Sequence, residues 1–324
     1  MGKNNRHVDI LLRQAQQQWR CVIANDQTER MALIRRAQQG KVARPYRGLY
    51  VDAAYWQTLN PSQRIIHLAR TLCETHPTWV FAGPTAAALY GYDHPWSIHR
   101  AGLYIADSVN ATGRRNATPL NRIYMPDIPV NVINGIRLTS PARTLLDCGL
   151  ILPFGMGLAI FDAALATHTV SKKDVLDLCD HIARDCTPVM RLLRYADPKS
   201  ENSGESTMRG LIVEDGFMVP DLQRVFTNPQ NSQESYRVDF SWTLGDGRIL
   251  VAEYDGMAKY TDPSMTGRQS VKSVVNRQVQ RERNLLAWGA SAITRLDYDD
   301  IINRQSAVDK LVRLGVPRGA PPFV

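Results

Sequence analysis

Two short apolar runs carry acids at positions where metal chemistry is conceivable. They are Arg237-Val238-Asp239-Phe240-Ser241-Trp242 and Ile249-Leu250-Val251-Ala252-Glu253-Tyr254-Asp255-Gly256, with Gly245-Asp246-Gly247 between them. Two β-type runs about a Gly-rich break predict a hairpin. A turn centred on Asp246 sets Asp239 opposite Glu253, and directly opposed residues have Cβ atoms about 4.5–5.5 Å apart. Asp255 follows Glu253 by two residues and shares its face, because side chains alternate along a strand. Three carboxylates on one face repel unless a cation lies among them, and hard oxygen donors suit Mg²⁺ or Mn²⁺. Acids on a hairpin are more often a solvated face. The apolar setting of Val251, Ala252 and Tyr254 distinguishes this one.

The elements that must hold these acids belong to a chain of 324 residues, with 44% hydrophobic and 22% charged content. That length accommodates two or three domains, and the composition is ordinary for a globular protein. No apolar run approaches the roughly 20 residues of a membrane span. The polar start, Met1 to His7, has no signal-peptide core. Cys21, Cys73, Cys148, Cys179 and Cys186 are odd in number and form no CxxC pair. Free thiols in a reducing cytoplasm are therefore expected.

The net charge of +8 is uneven. Residues 1–72 hold twelve Lys/Arg against four Asp/Glu, and residues 195–324 hold sixteen against seventeen. A basic surplus confined to one segment is the footprint expected of a nucleic-acid-binding module. Residues 7–40 read as two helices, with Thr28-Glu29-Arg30 at the second start and Gly40 at its stop. Lys41 to Val51 reads as a basic β element. Two helices and a basic β turn predict a winged helix over residues 1–60. Arg35 and Arg36 on the second helix, with Lys41, Arg44 and Arg47 on the wing, are the DNA-binding candidates, together with Arg281 in the last segment. A basic turn without a DNA role is the competing reading.

Residues 61–195 predict an α+β scaffold. It contains an Asn134-Gly135 hairpin, a helix opened by Ser140-Pro141, and helices near 157–168 and 171–184. The scattered histidines there carry no ligand pattern. Asp197 to Gly204 is a polar, turn-rich linker. Residues 196–324 then read helix, strand, strand, strand, helix, strand. The fold class expected overall is multidomain, mixed α/β.

The last segment resembles the PD-(D/E)xK nuclease superfamily, in the branch of the very-short-patch repair endonucleases. The matching residues are Ser203, Glu205 and Arg209, then Gly216, Pro220 and Gln223. Arg237-Val238-Asp239-Phe240, Glu253-Tyr254-Asp255-Gly256, Lys259-Tyr260, Arg281-Glu282-Arg283 and Ile293-Thr294-Arg295 continue the pattern. The earlier part is similar to the antitoxin family of abortive-infection type IV toxin–antitoxin systems. It matches through Arg47-Gly48-Leu49-Tyr50-Val51, Ala82-Gly83-Pro84-Thr85-Ala86-Ala87-Ala88-Leu89 and Thr139-Ser140-Pro141-Ala142-Arg143-Thr144-Leu145-Leu146-Asp147.

These resemblances imply a restriction-endonuclease-like αβββαβ domain that cuts DNA with Mg²⁺ or Mn²⁺, in bacterial defence or a toxin–antitoxin setting. Asp239, Glu253 and Glu205 would bind metal. The superfamily places Lys two residues after its second acid, and here Asp255 stands there. Lys259 is the displaced candidate and Arg281 a second source of positive charge. DNA is the implied partner, with a cognate toxin or defence-system protein as the second. The alternative is a repressor or antitoxin whose nuclease fold no longer cuts. The histidines of the very-short-patch enzymes are missing, so their mismatch specificity is not carried over.

Overall fold

The computed structural model describes residues 3–109, 120–256 and 271–319. The chain divides into two compact units. One comprises Met1–Leu152 and His168–Arg191, the other Pro153–Thr167 and Leu192–Val324. Several small sheets among helices make it a multidomain, mixed α/β protein. Among the described residues no helix is long and apolar enough to cross a membrane.

The first unit opens with α1 (Lys3–Gln17), β1 (Val22–Ile23) and α2 (Gln27–Gln38). Asp26 caps α2, accepting the Glu29 backbone N–H at 2.8 Å, so the helix starts earlier than Thr28 suggested. β2 (Val42–Tyr46) and β3 (Leu49–Asp52) pair antiparallel, and the sheet order is β1-β3-β2. Gly48 at their turn has φ 79°, a left-handed conformation that favours glycine. Val8, Leu12, Leu33, Val42 and Tyr50 close a small core between helices and sheet. The described elements are thus two helices and a three-stranded sheet.

Next come α3 (Ala53–Thr58), α4 (Pro61–Thr75), α5 (Gly83–Tyr90), and the parallel pair β4 (Leu103–Asp107) and β5 (Leu120–Tyr124). β6 (Val130–Ile133) and β7 (Ile136–Thr139) form the expected hairpin. Asn134 and Gly135 have φ 49° and 78°, both positive as a type I′ turn requires. α6 (Pro141–Ile151) follows, capped by Ser140 with proline in its first turn. His94 and His99, which carried no pattern in the sequence, form a buried pair with Nε2 atoms 2.8 Å apart.

α7 (Phe154–Ala166) lies in the second unit, although its sequence position suggested the middle segment. The chain returns to the first unit through α8 (Lys172–Cys179), shorter than the expected 171–184, and continues into α9 (Thr187–Tyr195). α7 joins the second unit because it packs on α10 (Ser203–Glu214). A Cβ at Gly210 would stand 2.5 Å from the Gly155 Cα, so two glycines let these helices touch backbone to backbone. The Arg209 guanidinium donates to Asp162 Oδ2 at 2.5 Å, with both side chains buried.

The second unit continues with β8 (Asp221–Asn228), β9 (Asn231–Thr243), β10 (Ile249–Asp255), α11 (Val271–Ala287), β11 (Ala292–Asp297), α12 (Tyr298–Ile302) and α13 (Arg304–Leu314). The sheet order is β11-β10-β9-β8. β8, β9 and β10 are antiparallel neighbours, while β11 returns parallel to β10 after α11. Parallel neighbours need such a crossover. One sheet face packs Phe240, Trp242, Leu250, Ala252 and Tyr254 against Met208, Leu211 and Ile212 of α10. The other packs Phe226, Val238 and Val251 against Leu285 of α11.

Candidate functional site

The β9–β10 hairpin has the register that a turn about Asp246 dictates. Ile249 pairs with Thr243, Leu250 with Trp242, Val251 with Ser241 and Ala252 with Phe240. Carrying this register one step further sets Asp239 opposite Glu253. Ladder pairing stops there, and the Asp239 carboxylate instead accepts the Tyr254 backbone N–H at 2.7 Å. A side chain thus occupies the place of a main-chain acceptor where the strands part. Glu253 is buried and Asp239 half-buried.

Glu205 reaches the same end of the sheet from the first turn of α10. A Cβ at Gly204 would lie 2.4 Å from the Tyr254 ring, so only glycine lets the helix start approach β10 so closely. Asn202 caps the helix by accepting the Glu205 N–H at 3.0 Å. The Glu205 carboxylate accepts from Asn202 Nδ2 at 2.5 Å, from the Glu201 backbone N–H at 3.0 Å and from Gln223 Nε2 at 3.2 Å. An acid at this helix position often does no more than cap. This one is only 5% exposed. Burial pushes its carboxyl up to about 7, and the nearby negative charge of Asp239 pushes the same way.

The counter-charges are arginines. Arg281 on α11 donates to Glu253 Oε1 through Nε at 2.9 Å and Nη2 at 2.6 Å, and Nη2 also reaches the Arg237 carbonyl at 2.6 Å. Its guanidinium lies 4.8 Å from the centre of the Tyr236 ring, which stacks on Trp288. The parallel register sets Glu253 beside Arg295. Arg295 contacts Asp255 Oδ2 at 2.9 Å and Glu253 Oε2 at 3.6 Å. Among the described residues, two guanidiniums therefore lie on Glu253 and Asp255, two of the three hairpin carboxylates. Asp255, at the position where the superfamily has Lys, is tied to Arg295. Lys259 lies outside the described residues.

Asp239 and Arg281 join Glu201, Gln223, Tyr236 and Arg237, with Val225 and Ser235, in lining an open cleft of about 470 Å³ among the described residues. Arg237 and Glu201 form an ion pair at its rim. No group of three His, Cys, Asp or Glu able to hold a metal occurs among the described residues. The fit to a divalent metal rests instead on the pair Glu205 and Asp239, hard oxygen donors whose mutual repulsion a cation relieves. Mg²⁺ characteristically takes one or two carboxylates and completes its shell with water and substrate phosphate.

The DNA-binding candidates of the first unit are arranged differently. Lys41, Arg44 and Arg47 are exposed on the β2–β3 hairpin, with Arg47 at its tip and the Arg44 guanidinium over the Tyr50 ring. Arg35 is exposed on α2. Arg36 departs from the expected set, because its guanidinium turns inward to Asp9 at 2.6 Å. Arg281, the remaining candidate, belongs to the carboxylate site of the second unit.

Sequence reasoning counted Arg295, Arg237 and Gln223 among the residues that carry the resemblance but gave none of them a role. Arg295 was reachable in principle, since a parallel β10–β11 pairing brings it beside Glu253. Gln223 carried no signal beyond that match.

No protein-family profile matches the chain. It is 28% identical over 187 residues to uncharacterized protein MT2308 of Mycobacterium tuberculosis (strain CDC 1551 / Oshkosh). The same identity and length hold for uncharacterized protein Rv2248 of Mycobacterium tuberculosis (strain ATCC 25618 / H37Rv). The match takes in 56% of this chain and 64% of each relative, so the chain spans less than two thirds of their length.

Proposed function

We propose that this chain is a DNA-binding protein whose second unit hydrolyses phosphodiester bonds with Mg²⁺ or Mn²⁺. The observation that carries this reading is that Asp239 lines a cleft with Arg237 and Arg281, while buried Glu205 lies near enough to feel its charge and is held by Gln223 of the same cleft. Asp239 and Glu205 would hold the metal, with Glu253 beside them under Arg281. A divalent metal supplies Lewis acidity at the scissile phosphate. Arg281 and Arg237 bind and orient the phosphodiester by their fixed positive charge. Exposed Lys41, Arg44 and Arg47 add sequence-independent contacts to phosphate. Lys259 follows the site in sequence and is the further cation in this reading.

Incubation of the purified chain with supercoiled plasmid tests it. Nicking or linearisation with Mn²⁺ or Mg²⁺, lost with EDTA and in Asp239→Ala, is the expected outcome. A second reading, a repressor or antitoxin with a silent nuclease fold, draws on the arginines that already neutralise Glu253 and Asp255. It is favoured if no metal yields cleavage while DNA binding persists in EDTA.

A further inference from the structure

Residues two or four apart on a regular strand share a face. β10 obeys this, with Leu250, Ala252 and Tyr254 in the core beneath α10 and Val251 in the core beneath α11. β8 and β9 do not. Leu222 and Phe240 lie in the first core, while Phe226 and Val238, of the same parity, lie in the second. The inversion falls between the pairs Leu222↔Phe240 and Arg224↔Val238. It therefore falls on Gln223 and Asp239.

Gln223 has φ 56° at that point. A left-handed glutamine inside a strand is uncommon and costs energy. Such strain persists where the surroundings enforce it, and it clusters at functional sites. Two contacts gather at the same point. The Asp239 carboxylate swings to the Tyr254 N–H at the end of the β9–β10 ladder, and the Gln223 amide reaches Glu205 Oε2 at 3.2 Å. Gln223 and Asp239 both line the cleft.

We propose that Gln223 is a positioning residue for the carboxylate pair: its left-handed backbone turns Asp239 toward the cleft, and its amide fixes Glu205, so that the two acids act as one cation site. This rests on the metal reading above. Groups that orient metal ligands without touching the metal commonly change affinity 10- to 100-fold when removed.

Titration calorimetry with MnCl₂ on the full chain, together with melting temperature without metal, tests the idea in wild type, Q223G, Q223N and D239A. Glycine accepts the positive φ and lacks the amide. Asparagine tolerates the same φ but is one methylene too short to reach Glu205. Both variants are expected to melt at or above the wild-type temperature yet bind Mn²⁺ about tenfold or more weakly. A purely structural residue would not separate these readouts. Wild-type Mn²⁺ affinity in Q223G and Q223N, with binding lost in D239A, overturns this inference and leaves the metal reading standing. Affinity that falls only in step with melting temperature also overturns it. Absence of Mn²⁺ binding by wild type removes the metal reading, and this inference with it.

Discussion

Lys41, Arg44 and Arg47 of the first unit stand in solvent on a hairpin, whereas Arg209, Arg281 and Arg295 of the second each lie on a carboxylate. The second region is not poor in cations. Residues 195–324 contain sixteen Lys/Arg, more than the twelve of residues 1–72. What differs is the company they keep. Acids match them in number, and the sheet and α11 bring several into forked contact. A charge paired at short range contributes little to the distant field, so long-range attraction for a polyanion belongs to the first region. In the second, the same side chain supports buried acids and shapes a cleft.

The sharpest way to break this contrast is to remove a buried partner. Arg209→Met leaves Asp162 buried without its guanidinium and is expected to cost about 3–5 kcal/mol. Urea unfolding measures this, and a double variant that also carries Asp162→Leu should recover most of the loss. A small loss in the single variant would show that the pair is not the internal support described here.

Glu205 gives a pH signature of similar scale. Its folded carboxyl is raised from 4.5 to about 7. The folded state therefore holds the proton more tightly than the unfolded one. The resulting stabilisation is fully present below about pH 4.5 and lost as pH rises through about 7. It amounts to about 3 kcal/mol at most. Melting curves in EDTA should show this slope, and Glu205→Gln should flatten it. An unchanged slope would count against the burial of this acid.

Arg281→Gln removes the fork from Glu253 and should destabilise by about 1–3 kcal/mol, the scale of a hydrogen bond to a charged group. Added Mn²⁺ should offset part of that loss if a cation then takes the vacated place. The smallest effect on stability is expected in the first unit. Arg44→Ala with Arg47→Ala should change unfolding free energy by less than about 0.5 kcal/mol. The same double variant should weaken DNA binding and reduce its logarithmic salt slope by roughly two. A wild-type slope would show that the two arginines are not phosphate contacts.

How much of this was legible in the sequence depends on the distance over which each feature is determined. Turn chemistry at Asn134-Gly135 and Gly245-Asp246-Gly247 determined two hairpins and their registers, because side-chain alternation and loop length leave little choice over so few residues. The order of elements from α10 to β11 followed from periodicity, and the uneven charge from counting. Helix ends were read less well. Asp26 rather than Thr28 starts α2, and α8 stops at Cys179.

The rest was decided by tertiary structure. Glu205 and Asp239 are 34 positions apart in the chain, and α10 must dock on Tyr254 through Gly204 before one acid feels the other's charge. Arg281 and Arg295 become counter-ions only when α11 and β11 pack beside β10. The left-handed backbone of Gln223 is imposed by two cores that demand opposite faces of one strand, a demand that no local propensity encodes. Sequence by itself therefore determined the elements, their registers and where positive charge accumulates, since these depend on neighbours along the chain. Which acids meet, which arginines answer them and where the strand is strained depend on packing between distant segments, and only the folded molecule settled them.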